Sequence, residues 1–255
     1  MTSTSPPVRV VYTEAVEALA AAVVRALRSA DDGFRLIDQL RPYTRHKAGL
    51  AALRVLGPDA LAPFVLGGHR LDEEDVEAVL LSLRVFPAPS DGPGAEVALL
   101  QDWATSELLV RLGVDQLRLF PDGFVSVPEQ PGGVWPSPER EWPAWGARMA
   151  RLAGLALPGL RCPVYYQARH HPLALARGVT RAMLRRDYPT AARLVRWMAA
   201  VEASDPSAPH TTPATEAGTT LQIPPLLRHL QIYAGREWRS ALDIELAEHM
   251  VGLTA

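Results

Sequence analysis

The stretch ARGVTRAMLRRDYPTAARLVRWM, residues 176–198, repeats apolar residues every three or four positions on both sides of a short turn. That spacing predicts two amphipathic helices, at about 172–186 and 189–203. Pro189 suits the first turn of the second helix, because proline lacks the N–H that a helix start leaves unpaired. The stretch therefore predicts a helical hairpin and makes helix the expected main element of the fold.

The rest of the chain repeats the helical pattern, with one change of period. Together the helical stretches predict a mainly α-helical fold, a bundle or array of about ten helices. In DQLRLFPDGFVSVPEQ, residues 115–130, the turn Pro121-Asp122-Gly123 separates two short apolar runs and predicts a small β-hairpin at about 116–127. An isolated hairpin is marginal in water, so PVYY at 163–166 could supply a third strand.

Three parts are expected along the chain, although one compact domain also fits. Residues 1–113 form an N-terminal helical part, 114–143 hold the hairpin and a Pro/Trp-rich connector, and 144–255 form a C-terminal helical part. Within the last part, the Ser/Thr/Pro-rich residues 204–220 have the composition of a mobile loop. The connector region carries Trp135, Trp142 and Trp145, which we interpret mainly as packing between elements, with a ligand groove as the alternative.

Composition favours a cytoplasmic protein with no membrane partner. The single cysteine, Cys162, cannot form an internal disulfide. The N-terminal stretch does not resemble a signal peptide, and no run of about 18 apolar residues suggests a membrane span. Cys162, His170 and His171 lie close in sequence, but a structural zinc site needs a fourth ligand, so no metal and no cofactor are expected.

The acidic quartet Asp72, Glu73, Glu74 and Asp75 could suggest a metal or acid/base cluster. It precedes an apolar helical pattern, where carboxylates face the positive end of the helix dipole and Asp72 can act as N-cap. We therefore interpret the quartet as helix-start chemistry.

Positive charge is concentrated in one segment. The chain has a net charge of −2, yet residues 144–200 hold ten arginines and a single acid, Asp187, for a net of +9. On a helical wheel Arg177, Arg181 and Arg185 lie within about 80° of one another, away from the apolar stripe. Arg193 and Arg196 likewise lie opposite the apolar face of the second helix. Solvated helix faces normally mix both signs, so an anion is expected nearby.

Three anions could meet this charge: the acidic remainder of the chain, a nucleic-acid phosphate backbone, or an acidic protein. A pI of about 6.4 weakens the nucleic-acid alternative, because dedicated binders are mostly basic. The leading hypothesis is a non-catalytic helical binding module that engages nucleic acid or an acidic protein surface. Its expected anion-binding residues are Arg177, Arg181, Arg185, Arg193, Arg196, Arg169, His170 and His171.

An enzyme of unrecognised type is the alternative hypothesis. Its pocket would lie near the hairpin, the tryptophan connector and His170/His171. The chain contains no G-x-S-x-G, P-loop or G-x-G-x-x-G pattern, so no catalytic residue is assigned and the absence favours a binding protein. Neither DNA, RNA nor protein is singled out as partner, and the oligomeric state stays open.

Overall fold

A computed structural model describes residues 8–29, 33–44, 47–92, 94–115, 135–204, 221–234 and 237–253 of the chain. The chain divides into two compact units, Met1–Val125 and Ser126–Ala255, with a boundary inside the predicted connecting part 114–143. The described residues are mainly α-helical, as predicted, and contain no β-strand. The hairpin predicted at 116–127 lies outside them, as do residues 205–220 of the predicted loop.

The first unit is built from six α-helices and two 3-10 helices in its described residues. The α-helices are α1 (Val8–Arg28), α2 (Leu36–Leu40), α3 (Ala48–Leu56), α4 (Ala62–Val65), α5 (Glu73–Val85) and α6 (Ala95–Arg111), and the 3-10 helices are Arg41–Tyr43 and Gly57–Leu61. Helix α3 packs between α1 and α5, and α6 packs on the 3-10 helix Gly57–Leu61. The apolar faces of α1 and α3 therefore form the centre of this unit.

The acidic start of α5 also stabilises a second helix. Buried Asp75 accepts a hydrogen bond from the Ile37 N–H at 2.8 Å, so its carboxylate caps α2. Burial raises the pKa of Asp75, against hydrogen bonds from backbone N–H groups. Asp72 occupies the N-cap position of α5 but makes no capping bond, because its carboxylate and that of Glu74 each lie 3.0 Å from Arg35. The quartet thus fits helix-start chemistry at two helices.

The second unit contains six α-helices and a 3-10 helix in its described residues. The α-helices are α7 (Trp142–Arg151), α8 (Pro163–His170), α9 (Pro172–Leu184), α10 (Tyr188–Ser204), α11 (Ile223–Ala234) and α12 (Trp238–Met250), and the 3-10 helix is Ala153–Leu155. The predicted third strand, PVYY at 163–166, is wrong: these residues begin α8. Pro163 lies in the first turn of that helix, where proline is well tolerated.

Helix α10 is the central element of the second unit. It packs against α7, α8, α9, α11 and α12, so it is covered on nearly every side. From Ala191 to Ala200 only Arg193 escapes full burial. Gly178 lets α9 approach α10 closely, because a Cβ at this position would lie 2.9 Å from Cδ1 of Leu194. The hairpin of α9 and α10 predicted from the sequence therefore carries the core of this unit.

One described segment, Ala48–Val65, is long and apolar enough to cross a membrane by composition alone. It has a mean hydropathy of 1.3, and 72% of it is buried inside the first unit. The segment spans α3, the 3-10 helix Gly57–Leu61 and α4, which are interrupted by Gly57 and Pro58. Its apolar composition is accounted for by the core that it forms.

Candidate functional site

The solvent-facing side of α9 carries a row of arginines. Arg177, Arg181 and Arg185 are exposed, at a four-residue spacing that places them along one side of the helix. The opposite side buries Leu175 and Val179, at 2% and 0% exposure. The structure therefore places these three arginines outside, as predicted, and we name Arg177, Arg181 and Arg185 the basic strip.

No carboxylate of the described residues forms an ion pair with the basic strip. The nearest acid in sequence, Asp187, accepts a hydrogen bond from the Thr190 N–H at 3.2 Å and so caps the start of α10. Arg181 instead lies over the ring of Trp142, with its guanidinium carbon 5.9 Å from the ring centroid. Within the described chain, the positive charge of the strip thus faces solvent and one aromatic ring.

Arg186 extends the charge into the turn between α9 and α10. It is exposed and has a φ of +58°, in the left-handed region where glycine is the usual residue. The turn closes with hydrogen bonds from the Arg186 N–H to Met183 and from the Asp187 N–H to Ala182, at 3.0 and 2.9 Å. This is a Schellman ending, whose left-handed position favours glycine. An arginine therefore occupies a position where its side chain is not required by the fold.

Arg196 does not belong to the exposed surface, and its predicted role there is wrong. Its side chain is 0% exposed, because α12 covers the side of α10 that the sequence pattern places toward solvent. Its Nε donates to the Ala156 carbonyl at 3.1 Å and its Nη1 donates to Asp243 Oδ1 at 2.9 Å. Arg196 is thus a buried, paired cation of the core, and no outside ligand can reach it.

Arg193 is also drawn to the interior. Its Nε lies 3.6 Å from Asp243 Oδ2, although 31% of its side chain stays exposed. Arg239 lies 3.3 Å from the same oxygen, so three guanidinium groups surround one carboxylate that is 1% exposed. We name Arg193, Arg196, Arg239 and Asp243 the buried charge cluster. Two of the six arginines predicted to bind an outside anion, Arg193 and Arg196, therefore contact Asp243, which lies 47 residues after Arg196.

The three predicted anion-binding residues before α9, Arg169, His170 and His171, differ in their surroundings. Arg169 and His170 are exposed, and the His170 ring stacks on Tyr166 with centroids 6.3 Å apart. Nδ1 of His171 lies 3.5 Å from a carboxylate oxygen of Glu139, so this histidine has an acid partner within the unit. The pKa of Glu139 is lowered, first by a hydrogen bond from the backbone N–H of Glu139 and then by one from the Ser137 hydroxyl. The charge of His171 lowers it less. His171 is therefore a weaker candidate for an outside anion than the basic strip.

An aromatic group that the sequence interpretation missed lies where α10 begins. Tyr188 and Tyr233 stack with ring centroids 5.2 Å apart and planes inclined by 21°, and His229 lies 4.7 Å from Tyr233. We name Tyr188, His229 and Tyr233 the aromatic stack. Tyr233 is 57% exposed, so much of its ring is open to solvent. The i, i+4 spacing of His229 and Tyr233 was visible in the sequence, but its contact with Tyr188 joins distant segments.

A cleft of about 270 Å³ opens beside the basic strip. It lies between α7, α9 and the start of α10, at the glycines Gly146 and Gly178, and its polar lining is Arg181, Arg185, Asp187 and Thr190. This volume is below the range of about 300–1,000 Å³ typical of small-molecule sites. The cleft therefore suits a single side chain or a small group better than a whole substrate, and its mixed charges indicate no charge class of ligand.

Part of the region that the alternative enzyme hypothesis names, residues 116–134, lies outside the described part of the chain. Neither His170 nor His171 lines the cleft beside the basic strip. Burial raises the pKa of Cys162, which disfavours the reactive thiolate. Among the described residues, no group of three or more His, Cys, Asp or Glu side chains is arranged to hold a metal. Of the three tryptophans, Trp145 is fully buried and serves packing, as interpreted from the sequence.

The first unit has its own, larger cavity of about 660 Å³ between α2, the 3-10 helix Arg41–Tyr43, α3 and α5. Its lining includes the apolar Leu50 and Leu81 together with charged residues of both signs, among them Glu73, Arg41 and Lys47. Because both signs of charge line it, the cavity indicates no charge class of ligand.

Comparison of the chain with protein-family models, with curated proteins and with solved structures finds no match.

Proposed function

We propose that the protein is a non-catalytic helical binding module that engages an anionic partner through the basic strip and Arg186. The observation that carries the proposal is the pair of facts about α9: its arginines are exposed, and no described carboxylate pairs with them. The proposed surface is smaller than the sequence predicted, because Arg196 is buried and Arg193 contacts Asp243.

Electrostatics supports an outside anion for this surface. Like charges on neighbouring helix positions repel by a few tenths of a kcal/mol per pair, so an unbalanced row slightly destabilises the isolated protein. A planar guanidinium offers paired N–H donors that match carboxylate, phosphate and sulfate oxygens. Binding of an anion removes the repulsion and satisfies those donors at the same time.

The proposal is tested with a fluorescently labelled heparin octasaccharide, a generic polyanion, by anisotropy across a series of salt concentrations. Three or four arginine contacts predict that log affinity falls linearly with log salt, with a slope of about −2 to −4 if each contact contributes as in nucleic acids. The double variant Arg177→Glu/Arg181→Glu is expected to lose at least about tenfold in affinity. Its free energy of unfolding stays within about 0.5 kcal/mol of wild type, because both residues are on the surface.

The matched control is Arg9→Glu/Arg70→Glu, which changes the net charge equally but at exposed arginines of the first unit. This control is expected to bind the octasaccharide almost as wild type does. If both variants lost affinity equally, the loss would be explained by net charge alone, and the proposal would be overturned. A large loss of stability in Arg177→Glu/Arg181→Glu would instead make these arginines internal partners of the acidic segments.

A further inference from the structure

Leu184, the last residue of α9, is an exposed apolar side chain within the basic strip. It is 81% exposed, the highest value among the large apolar residues of the described chain. It lies seven residues after Arg177 and three after Arg181, spacings that place all three on one side of the helix. A leucine in this position contributes almost nothing to the core, since its side chain is left in water.

A second exposed apolar side chain lies on α11 beside the aromatic stack. Ile232 is 74% exposed and follows His229 by three residues, so both share one side of that helix. Tyr188 in turn lies four residues after Leu184, which limits the separation of their Cα atoms to about 15 Å. Leu184, the aromatic stack and Ile232 therefore lie within the reach of one short segment of polypeptide.

This combination favours a protein over a nucleic acid as the anionic partner. Protein interfaces place tyrosine, arginine and aliphatic side chains in a dry centre and surround them with charge. Nucleic acids offer phosphates to arginine and base faces to tyrosine, but contacts to phosphate gain nothing from an exposed leucine or isoleucine. The chain's pI of about 6.4 also differs from that of most dedicated nucleic-acid binders.

We propose that this surface binds an acidic protein segment that carries apolar side chains. Carboxylates of the segment pair with Arg177, Arg181 and Arg185, and its apolar groups cover Leu184 and the open face of Tyr233. The inference rests on the proposed function, since it names the partner class of the same basic strip. The positive charge of the basic strip favours an acidic partner, and the exposed apolar residues favour a partner that also carries apolar side chains.

The test uses three labelled probes in anisotropy measurements with the full chain. The first is a 16-residue peptide of glutamates with leucines at helical spacing, the second has serine at each leucine position, and the third is a single-stranded 16-nucleotide oligo(dT). Leu184→Ser is the test variant. Leu99→Ser is its matched control, because Leu99 is an exposed leucine of the first unit, at 46%.

The Glu/Leu peptide is expected to bind at least about tenfold more tightly than the Glu/Ser peptide, as for burial of one or two leucines. Leu184→Ser removes most of that difference, whereas Leu99→Ser leaves it unchanged. Oligo(dT) binds less tightly than the Glu/Leu peptide, and Leu184→Ser does not alter its affinity.

Two results would overturn the inference while leaving the proposed function intact. One is equal binding of both peptides with no effect of Leu184→Ser. The other is oligo(dT) as the tightest probe, with Tyr233→Ser weakening it, which would assign the surface to single-stranded nucleic acid. If none of these probes binds and the heparin octasaccharide does not bind either, or if Arg177→Glu/Arg181→Glu changes none of the affinities, the proposed function fails as well.

Discussion

Helices α9 and α10 are neighbours in sequence and both carry arginines, yet they use them in opposite ways. Arg177 and Arg181 of α9 and Arg185 at its C-cap are exposed, whereas Arg196 of α10 is fully buried. The difference follows from packing, because α9 lies at the edge of the second unit and α10 lies at its centre. Arginines on a helix therefore predict an exposed basic surface only when it is also known how many sides of that helix are covered by other helices.

The largest expected effect is a loss of stability when the buried charge cluster around Arg196 of α10 is disrupted. Asp243→Ala removes the buried carboxylate that Arg193, Arg196 and Arg239 share, which costs about 3–5 kcal/mol of the free energy of unfolding. The double variant Arg196→Met/Asp243→Leu replaces the pair by apolar groups and is expected to recover at least about half of that loss. Urea denaturation measures both. A loss below about 1 kcal/mol in Asp243→Ala would contradict the buried charge cluster as a structural element.

A second prediction concerns a partly buried carboxylate that lies against one guanidinium group rather than three. Asp102 lies 2.8 Å from Arg54, and burial raises its pKa to about 6, with the arginine opposing the shift. A folded-state pKa above the unfolded value of 3.8 means that the folded protein holds this proton more tightly. Its contribution to stability therefore increases as the pH falls from about 6 to about 4.

The measurement compares wild type with Asp102→Asn, which cannot titrate, by urea denaturation at pH 7 and pH 4. On acidification the free energy of unfolding of wild type is expected to increase by about 2 kcal/mol relative to the variant. This is somewhat less than the free energy that corresponds to a shift of about two pKa units, because the carboxylate is partly exposed. A difference between the two proteins that stays constant with pH would contradict the raised pKa. It would also show that the attraction of Arg54 offsets the whole effect of burial on the charged carboxylate.

The smallest expected effect lies in the turn that joins the two helices. Arg186→Gly relieves the left-handed backbone and is expected to raise the free energy of unfolding by about 0.5–1 kcal/mol. It also removes one cation from the proposed surface, so affinity for the heparin octasaccharide falls by a few-fold. Lys47→Gly is the control, because Lys47 has a φ of +59° in the first unit. It is expected to gain similar stability with no loss of affinity.

The sequence predicted the helical class, the α9–α10 hairpin and the outward placement of Arg177, Arg181 and Arg185. The sequence also indicates that α10 is buried, which was not predicted, since residues 191–200 are apolar on every side except at Arg193 and Arg196. A helix with so few polar positions is typically buried all round. The identity of Asp243 as their partner was not predictable, because 47 residues separate it from Arg196 and only the packing of α12 brings them together.

The aromatic stack shows the same limit. Tyr188 and Tyr233 lie in different helices, α10 and α11, so no local periodicity joins them. Exposure of Leu184, in contrast, follows from the helical wheel, because a residue seven positions after Arg177 and three after Arg181 lies on the arginine side of the helix. Contacts between distant segments and the exact end of a helix are set by tertiary packing rather than by local sequence.

As binding elements, α9 and α10 are expected to differ completely. Affinity for the labelled heparin octasaccharide, measured on Arg177→Glu/Arg181→Glu/Arg185→Glu and on Arg196→Met/Asp243→Leu, tests this difference in a single assay. The α9 triple variant is expected to lose binding while folding normally, and the folded α10 double variant is expected to bind as wild type does. Binding that survives in the triple variant, or that disappears only in the double variant, would contradict this expectation.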